Sequence, residues 1–159
     1  MFWDRASPFC FSGPKSVVPP AYNADTLPKV DILIDSHAHF DHLDLPGLKR
    51  LAALQPDIRV VVPLRLARYL RRAGYTDVTE IDWWQQKERY GTLITATPVW
   101  HWASRSPFDQ NKTLWAGIMF GFEDGYQFYF AGDSGYSADF TKTRECGGAP
   151  DFAVIPIGA

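Results

Sequence analysis

No apolar run in this chain approaches the length of a membrane span, and no basic region leads into an apolar core at the N-terminus. Neither a spanning helix nor a secretory signal is therefore expected. Charge of either sign is not in excess: 16 Lys and Arg stand against 18 Asp and Glu, a formal net charge of −2. Nothing in that balance calls for nucleic acid as a partner. Cysteine is scarce. The two present, Cys10 and Cys146, are too far apart in sequence to form a zinc-type pair, and free thiols in a reducing cytoplasm are expected. Repeats and low-complexity tracts are absent as well. With 46% hydrophobic and 21% charged residues, 159 positions support one folded domain, 1–159, with a modest core.

Histidine is also rare, and its placement is the main signal. Three of the four histidines fall in Ser36-His37-Ala38-His39-Phe40-Asp41-His42-Leu43-Asp44. This stretch follows the apolar run Val30 to Ile34, which reads as a buried strand. The fourth, His101, ends a second apolar run in Pro98-Val99-Trp100-His101-Trp102, and a third run, Phe128 to Gly132, delivers Asp133. Imidazole nitrogen and carboxylate oxygen just past three strand ends can converge on one point. That donor set suits a borderline divalent metal, zinc above all.

The rest of the chain reads as strands and helices around these loops. Residues 1–29 hold five of the twelve prolines and read as an extended entry that wraps the domain. Helices are predicted over Pro46 to Leu54, with leucines at three-residue spacing, and over Leu64 to Ala73, stopped by Gly74. Strands are predicted at Ile58 to Pro63 and Asp77 to Ile81. The second half predicts strands at Thr92 to Val99, Leu114 to Phe122 and Tyr126 to Phe130, the last two joined by the turn Glu123-Asp124-Gly125. A helix from Ala138 to Cys146 and a strand from Phe152 to Pro156 follow. The expected class is α/β, a four-layer αβ/βα sandwich.

The pattern H-x-H-x-D-H with a later lone histidine and a later aspartate resembles the metallo-β-lactamase-fold hydrolases. Within them the chain is most similar to the N-acyl-phosphatidylethanolamine-hydrolysing phospholipase D family and its bacterial relatives. The likeness is carried by Arg5-Ala6-Ser7-Pro8, Gly13-Pro14-Lys15, His37 to Asp44, Thr97 to Arg105, Asn111 to Gly117, Phe128 to Tyr136 and Ile155 to Ala159. Ala38 and Phe40 depart from the polar residues often found between the ligands, and Ser134 stands for a common threonine. The resemblance also implies strands ahead of this stretch and a further histidine beyond Ala159, so the domain is expected to be incomplete at both ends. One metal is then expected to be held well here, where the family holds two.

By resemblance, His37, His39 and His101 would bind the first zinc, Asp41 and His42 the second, and Asp133 both. Asp41 and Asp133 are thereby the candidate catalytic carboxylates, serving a metal-bridged hydroxide that attacks phosphorus. Ser36 and Asp44 are candidates to orient ligating imidazoles, although Asp44 serves equally as cap of the helix near Pro46. Arg105 is a candidate to pair with a substrate phosphate, or else a surface ion pair. The implied function is a zinc-dependent phosphodiesterase acting on phospholipid. The alternatives are a sugar-phosphate lactonase of the same fold and a non-catalytic metal-binding fragment. A cytoplasmic protein, peripheral at a membrane and prone to self-association, completes the expectation.

Overall fold

The computed structural model describes Arg5, Ser7 and residues 11–157. Cys10, Gly158 and Ala159 therefore lie outside the described residues, as do Ala6 and Pro8; Cys146 is a free, exposed thiol.

The first half alternates strand and helix: β1 (Ile32–Ile34), α1 (Leu45–Leu54), β2 (Arg59–Pro63), α2 (Ala67–Ala73) and β3 (Val78–Ile81). The three strands form one parallel sheet in the order β1-β2-β3. Its middle strand shows how the layers arise. Side chains alternate across a strand, so Val60 and Val62 face a core shared with Leu48, Leu51, Leu66 and Leu70, from α1, α2 and the turn before α2. Val61 faces the other way, into a core with Ile94, Ala96 and Ile118. Those three belong to the second sheet.

That sheet runs β4 (Gln86–Arg89), β5 (Thr92–Thr97), β6 (Gly117–Gly121), β7 (Gln127–Phe130) and β8 (Phe152–Val154). Pairing is antiparallel from β4 to β7, whereas β8 runs parallel to β7. On its far face Met119 and Tyr129 pack against Phe140 of α3 (Asp139–Gly147). Helices, sheet, sheet, helix: the order is the expected αβ/βα sandwich.

Several strand ends fall within two residues of the sequence reading, and three elements differ more. β4 is a strand of Gln, Lys, Glu and Arg with no apolar alternation, so nothing in its pattern announces it. α2 begins three residues later than expected, because Arg65 adopts a left-handed backbone (φ 69) that no helix continues through. Its first free N–H, that of Ala67, donates to the Glu80 carboxylate (2.9 Å), a cap supplied from β3. The predicted strand over Leu114 to Phe122 is shorter because its first residues bond elsewhere. Leu114 N–H donates to Leu64 O and Ala116 N–H to Ser36 O, both at 3.0 Å. Gly74 ends α2 in the left-handed region (φ 114), as expected of a glycine stop. No helix among the described residues is long and apolar enough to cross a membrane.

Candidate metal centre

Three loops reach one point, each leaving the C-terminal end of a strand: the loop after β1 carries His37 to His42, that after β5 carries His101, and that after β7 carries Asp133. The loops are tied to one another by backbone. Gly135 N–H donates to Trp100 O (2.9 Å), and Trp100 N–H donates to the Ser134 hydroxyl (3.2 Å). Gly132 sits left-handed (φ 62) directly against Ser36, where a Cβ would lie 2.9 Å from the Ser36 Cβ. A side chain at 132 would push Asp133 away from the histidines.

His37 Nε2, His39 Nδ1 and His101 Nε2 form a near-equilateral triangle with edges of 2.9, 3.2 and 3.2 Å. Four ligands at about 2.0–2.1 Å from a tetrahedral ion are about 3.3 Å apart, so the three nitrogens already stand nearly as such an ion requires. Asp133 Oδ2 lies 3.8 Å from both His37 Nε2 and His101 Nε2, and 3.3 Å from His42 Nε2. Asp41 Oδ2 is 3.7 Å from His42 Nε2. The donors thus make two groups able to hold a metal, His37–His39–His101–Asp133 and Asp41–His42–Asp133, with Asp133 common to both.

Electrostatics favour lone pairs over protons in the first group. Burial, followed by repulsion from His42, His101 and His39, pushes His37 down to about 2. Burial lowers His39 and His101 as well. A neutral imidazole is the form that ligates. These residues fit a borderline divalent cation.

The other candidates fall as follows. The Ser36 hydroxyl lies between two rings, 3.0 Å from His37 Nδ1 and 3.4 Å from His42 Nδ1. Asp44 is the N-cap of α1 and accepts from Gly47 N–H (3.3 Å). The Arg105 guanidinium donates to Ala38 O and to Leu43 O, both at 2.8 Å. Burial lowers its pKa from the ordinary arginine value. His39 Nε2 is buried without a hydrogen-bond partner, and its ring stands edge-on to Trp102 at 4.4 Å.

Sequence reasoning passed over two acids. Asp35 is buried, accepts from His37 N–H (3.2 Å), and is raised by burial to about 7. Its place, between the strand and the first histidine, was the available signal. Asp109 ties the loop after His101 through three hydrogen bonds, and nothing in its surroundings in sequence marks it.

The sequence model of the beta-lactamase superfamily domain matches residues 2–159, nearly the whole chain. The chain belongs to that superfamily. Among curated members it is similar to N-acyl-phosphatidylethanolamine-hydrolyzing phospholipase D 1 of Caenorhabditis elegans, 38% identical over 98% of this chain and 46% of the worm protein. Among solved structures, the diiron β-hydroxylase CmlA of Streptomyces venezuelae is 27% identical with a TM-score of 0.64, covering 81% of this chain and 26% of that one. An isothiocyanate hydrolase from Delia radicum gut bacteria matches 95% of this chain and 58% of its own, with a TM-score of 0.67 at 18% identity. That last likeness speaks for the metallo-β-lactamase fold alone. The chain spans less than half the length of the worm relative.

Proposed function

We propose that this chain is the metal-binding part of a zinc-dependent phosphodiesterase that hydrolyses an N-acyl-phosphatidylethanolamine. The observation that carries the reading is the shared carboxylate: Asp133 belongs to both donor groups, three imidazoles on one side and Asp41 with His42 on the other. The likeness to the worm phospholipase D supports the substrate class. Metal ions held by these residues would supply Lewis acidity toward a phosphoryl oxygen and bring the pKa of water near neutrality.

The chain's own residues do the holding. His37 and His101 would ligate through Nε2 and His39 through Nδ1, the nitrogens that face one another. His37 and His42 would then carry their protons on Nδ1, and both can donate to the one Ser36 oxygen, which has two lone pairs. Asp133 and Asp41 are the carboxylates that would balance the charge of the ions. Around this centre the exposed rings of Trp100 and Tyr136 (71% and 99% exposed), on loops that pair at Trp100 and Gly135, form an apolar rim. Trp and Tyr favour the bilayer–water boundary, which supports a protein working peripherally at a membrane.

The test is metal analysis of the purified chain together with assays on N-acyl-phosphatidylethanolamine and on a sugar-phosphate lactone. Zinc at one equivalent or more, and phosphodiester turnover lost in His37→Ala, are expected. Iron in place of zinc would change the metal, and turnover of the lactone alone would change the substrate class. A chain that binds no divalent ion would overturn the reading.

A further inference from the structure

His101 comes to the metal centre on a different loop from His37, 64 positions earlier in sequence, so the triangle of nitrogens survives only if the two loops keep their separation. Arg105 spans them. Its Nη1 donates to Ala38 O and to Leu43 O, so one nitrogen grips the backbone on either side of Phe40 to His42. Its guanidinium carbon lies 4.0 Å from the centre of the Phe40 ring, with Tyr69 5.6 Å away, a position that suits a cation on an aromatic face.

The other end of the strut is equally tied. Asp109 Oδ1 accepts from the N–H of Arg105 (2.9 Å) and of Ser106 (2.8 Å) and from the Ser104 hydroxyl (2.9 Å). Ala103 N–H donates to Asn111 Oδ1 (3.2 Å), and Asn111 N–H donates back to Ala103 O (2.7 Å). A closed loop two residues past His101 thus carries a half-buried cation into the loop that holds the other histidines. Both hydrogens of Nη1 are committed to carbonyls, which leaves only the outer part of the guanidinium for any anion.

We infer that Arg105 is a positioning residue for the metal centre: it latches the His101 loop to the His37–His42 loop and sets the spacing of the ligating nitrogens without touching metal or substrate. The inference rests on the reading that the imidazole group binds a metal. Lysine cannot reproduce the latch fully: its single ammonium can donate to both carbonyls, but it has no planar guanidinium to lie against the Phe40 ring.

The experiment is a cobalt(II) titration against a competing chelator, without substrate, on the full chain and on Arg105→Ala and Arg105→Lys, with circular dichroism as the check on folding. In Arg105→Ala the affinity for cobalt should fall about 10–100-fold, the usual cost of losing an outer support, and the visible bands of the bound ion should shift. Millimolar guanidinium should restore part of both, and Arg105→Lys should fall between. Wild-type affinity and spectrum in Arg105→Ala would overturn the latch, and if a separate phosphodiester assay of that variant then gave a raised KM, Arg105 would be a substrate residue instead. If Arg105→Ala does not fold, Arg105→Lys decides, and an unchanged affinity and spectrum there overturns the inference. A wild-type chain that binds no cobalt overturns the metal reading, and the latch with it.

Discussion

Two buried or half-buried carboxylates near the centre are chemically alike and differ in what they face. Asp133 Oδ2 points at His37, His42 and His101, all within 3.8 Å. Asp44 turns to the first turn of α1 and accepts from Gly47 N–H. Replacing each by asparagine keeps its shape and removes its charge. Asparagine caps a helix about as well as aspartate, so Asp44→Asn should leave the apparent metal affinity within a few-fold of wild type. Asp133→Asn withdraws a charged donor from both groups at once and should cost at least about 100-fold, more than the loss of an outer-sphere partner. Chelator competition on the two variants reads the difference, and equal losses would mean that the two carboxylates have been given the wrong roles. The donors themselves were legible in the sequence, because H-x-H-x-D-H, His101 and Asp133 all follow apolar runs. Ser36 was legible only as a neighbour of His37. That its hydroxyl also meets His42 depends on how the loop folds back, which residue spacing does not encode.

At the scale of elements, the loop from Ala103 to Asn111 behaves as a unit although it contains no helix or strand. Its centre is Asp109, which burial alone would raise but which the N–H groups of Arg105 and Ser106 and the Ser104 hydroxyl hold down, to about 2. A carboxyl whose pKa is lower folded than unfolded stabilises the fold above its unfolded value, about 3.9, and loses that contribution as pH falls through the folded value. Asp109→Asn should therefore be less stable than wild type by about 1 kcal/mol or somewhat more at neutral pH, the worth of hydrogen bonds to a charged acceptor. The gap should close between about pH 4 and pH 2. Denaturant melts at several pH values would show it, and a gap that persists unchanged at pH 2 would mean that the charge of Asp109 is not what holds the loop. Legibility at this scale followed apolar pattern. β2 and β5 announce themselves by valine, isoleucine and alternation, whereas β4, all polar, is a strand only because β5 offers its edge. The link from Arg105 to Ala38 and Leu43 was invisible for a related reason: its acceptors are backbone carbonyls, which every residue has.

On the scale of the whole molecule, the two ends of the five-stranded sheet are unlike. β4 at one edge carries Lys87, Glu88 and Arg89, charges of the kind that keep an open edge from pairing with another chain. β8 at the other edge has none. Phe152 and Val154 are 55% and 43% exposed, Ile155 just beyond is 48% exposed, and among the described residues β8 is hydrogen-bonded on one side only, to β7. A second copy of the chain presents the same unpaired, apolar strand, so strand-to-strand association of two copies is the expected result in concentrated solution. Val154→Lys tests this with little risk to the fold. The Val154 side chain is exposed already, and its structural role is a carbonyl that accepts from Ala131 N–H (3.0 Å), which any residue supplies. Sedimentation velocity across a range of concentrations should show wild type associating and Val154→Lys remaining monomeric to at least about tenfold higher concentration, a shift of about 1.4 kcal/mol. Metal content should be the same in both, since the substitution lies on the edge strand and changes no donor of the metal groups. Association that is identical in the two proteins would move the contact away from this edge, and a Val154→Lys chain that also lost its metal would show that β8 supports the Asp133 loop rather than merely closing the sheet.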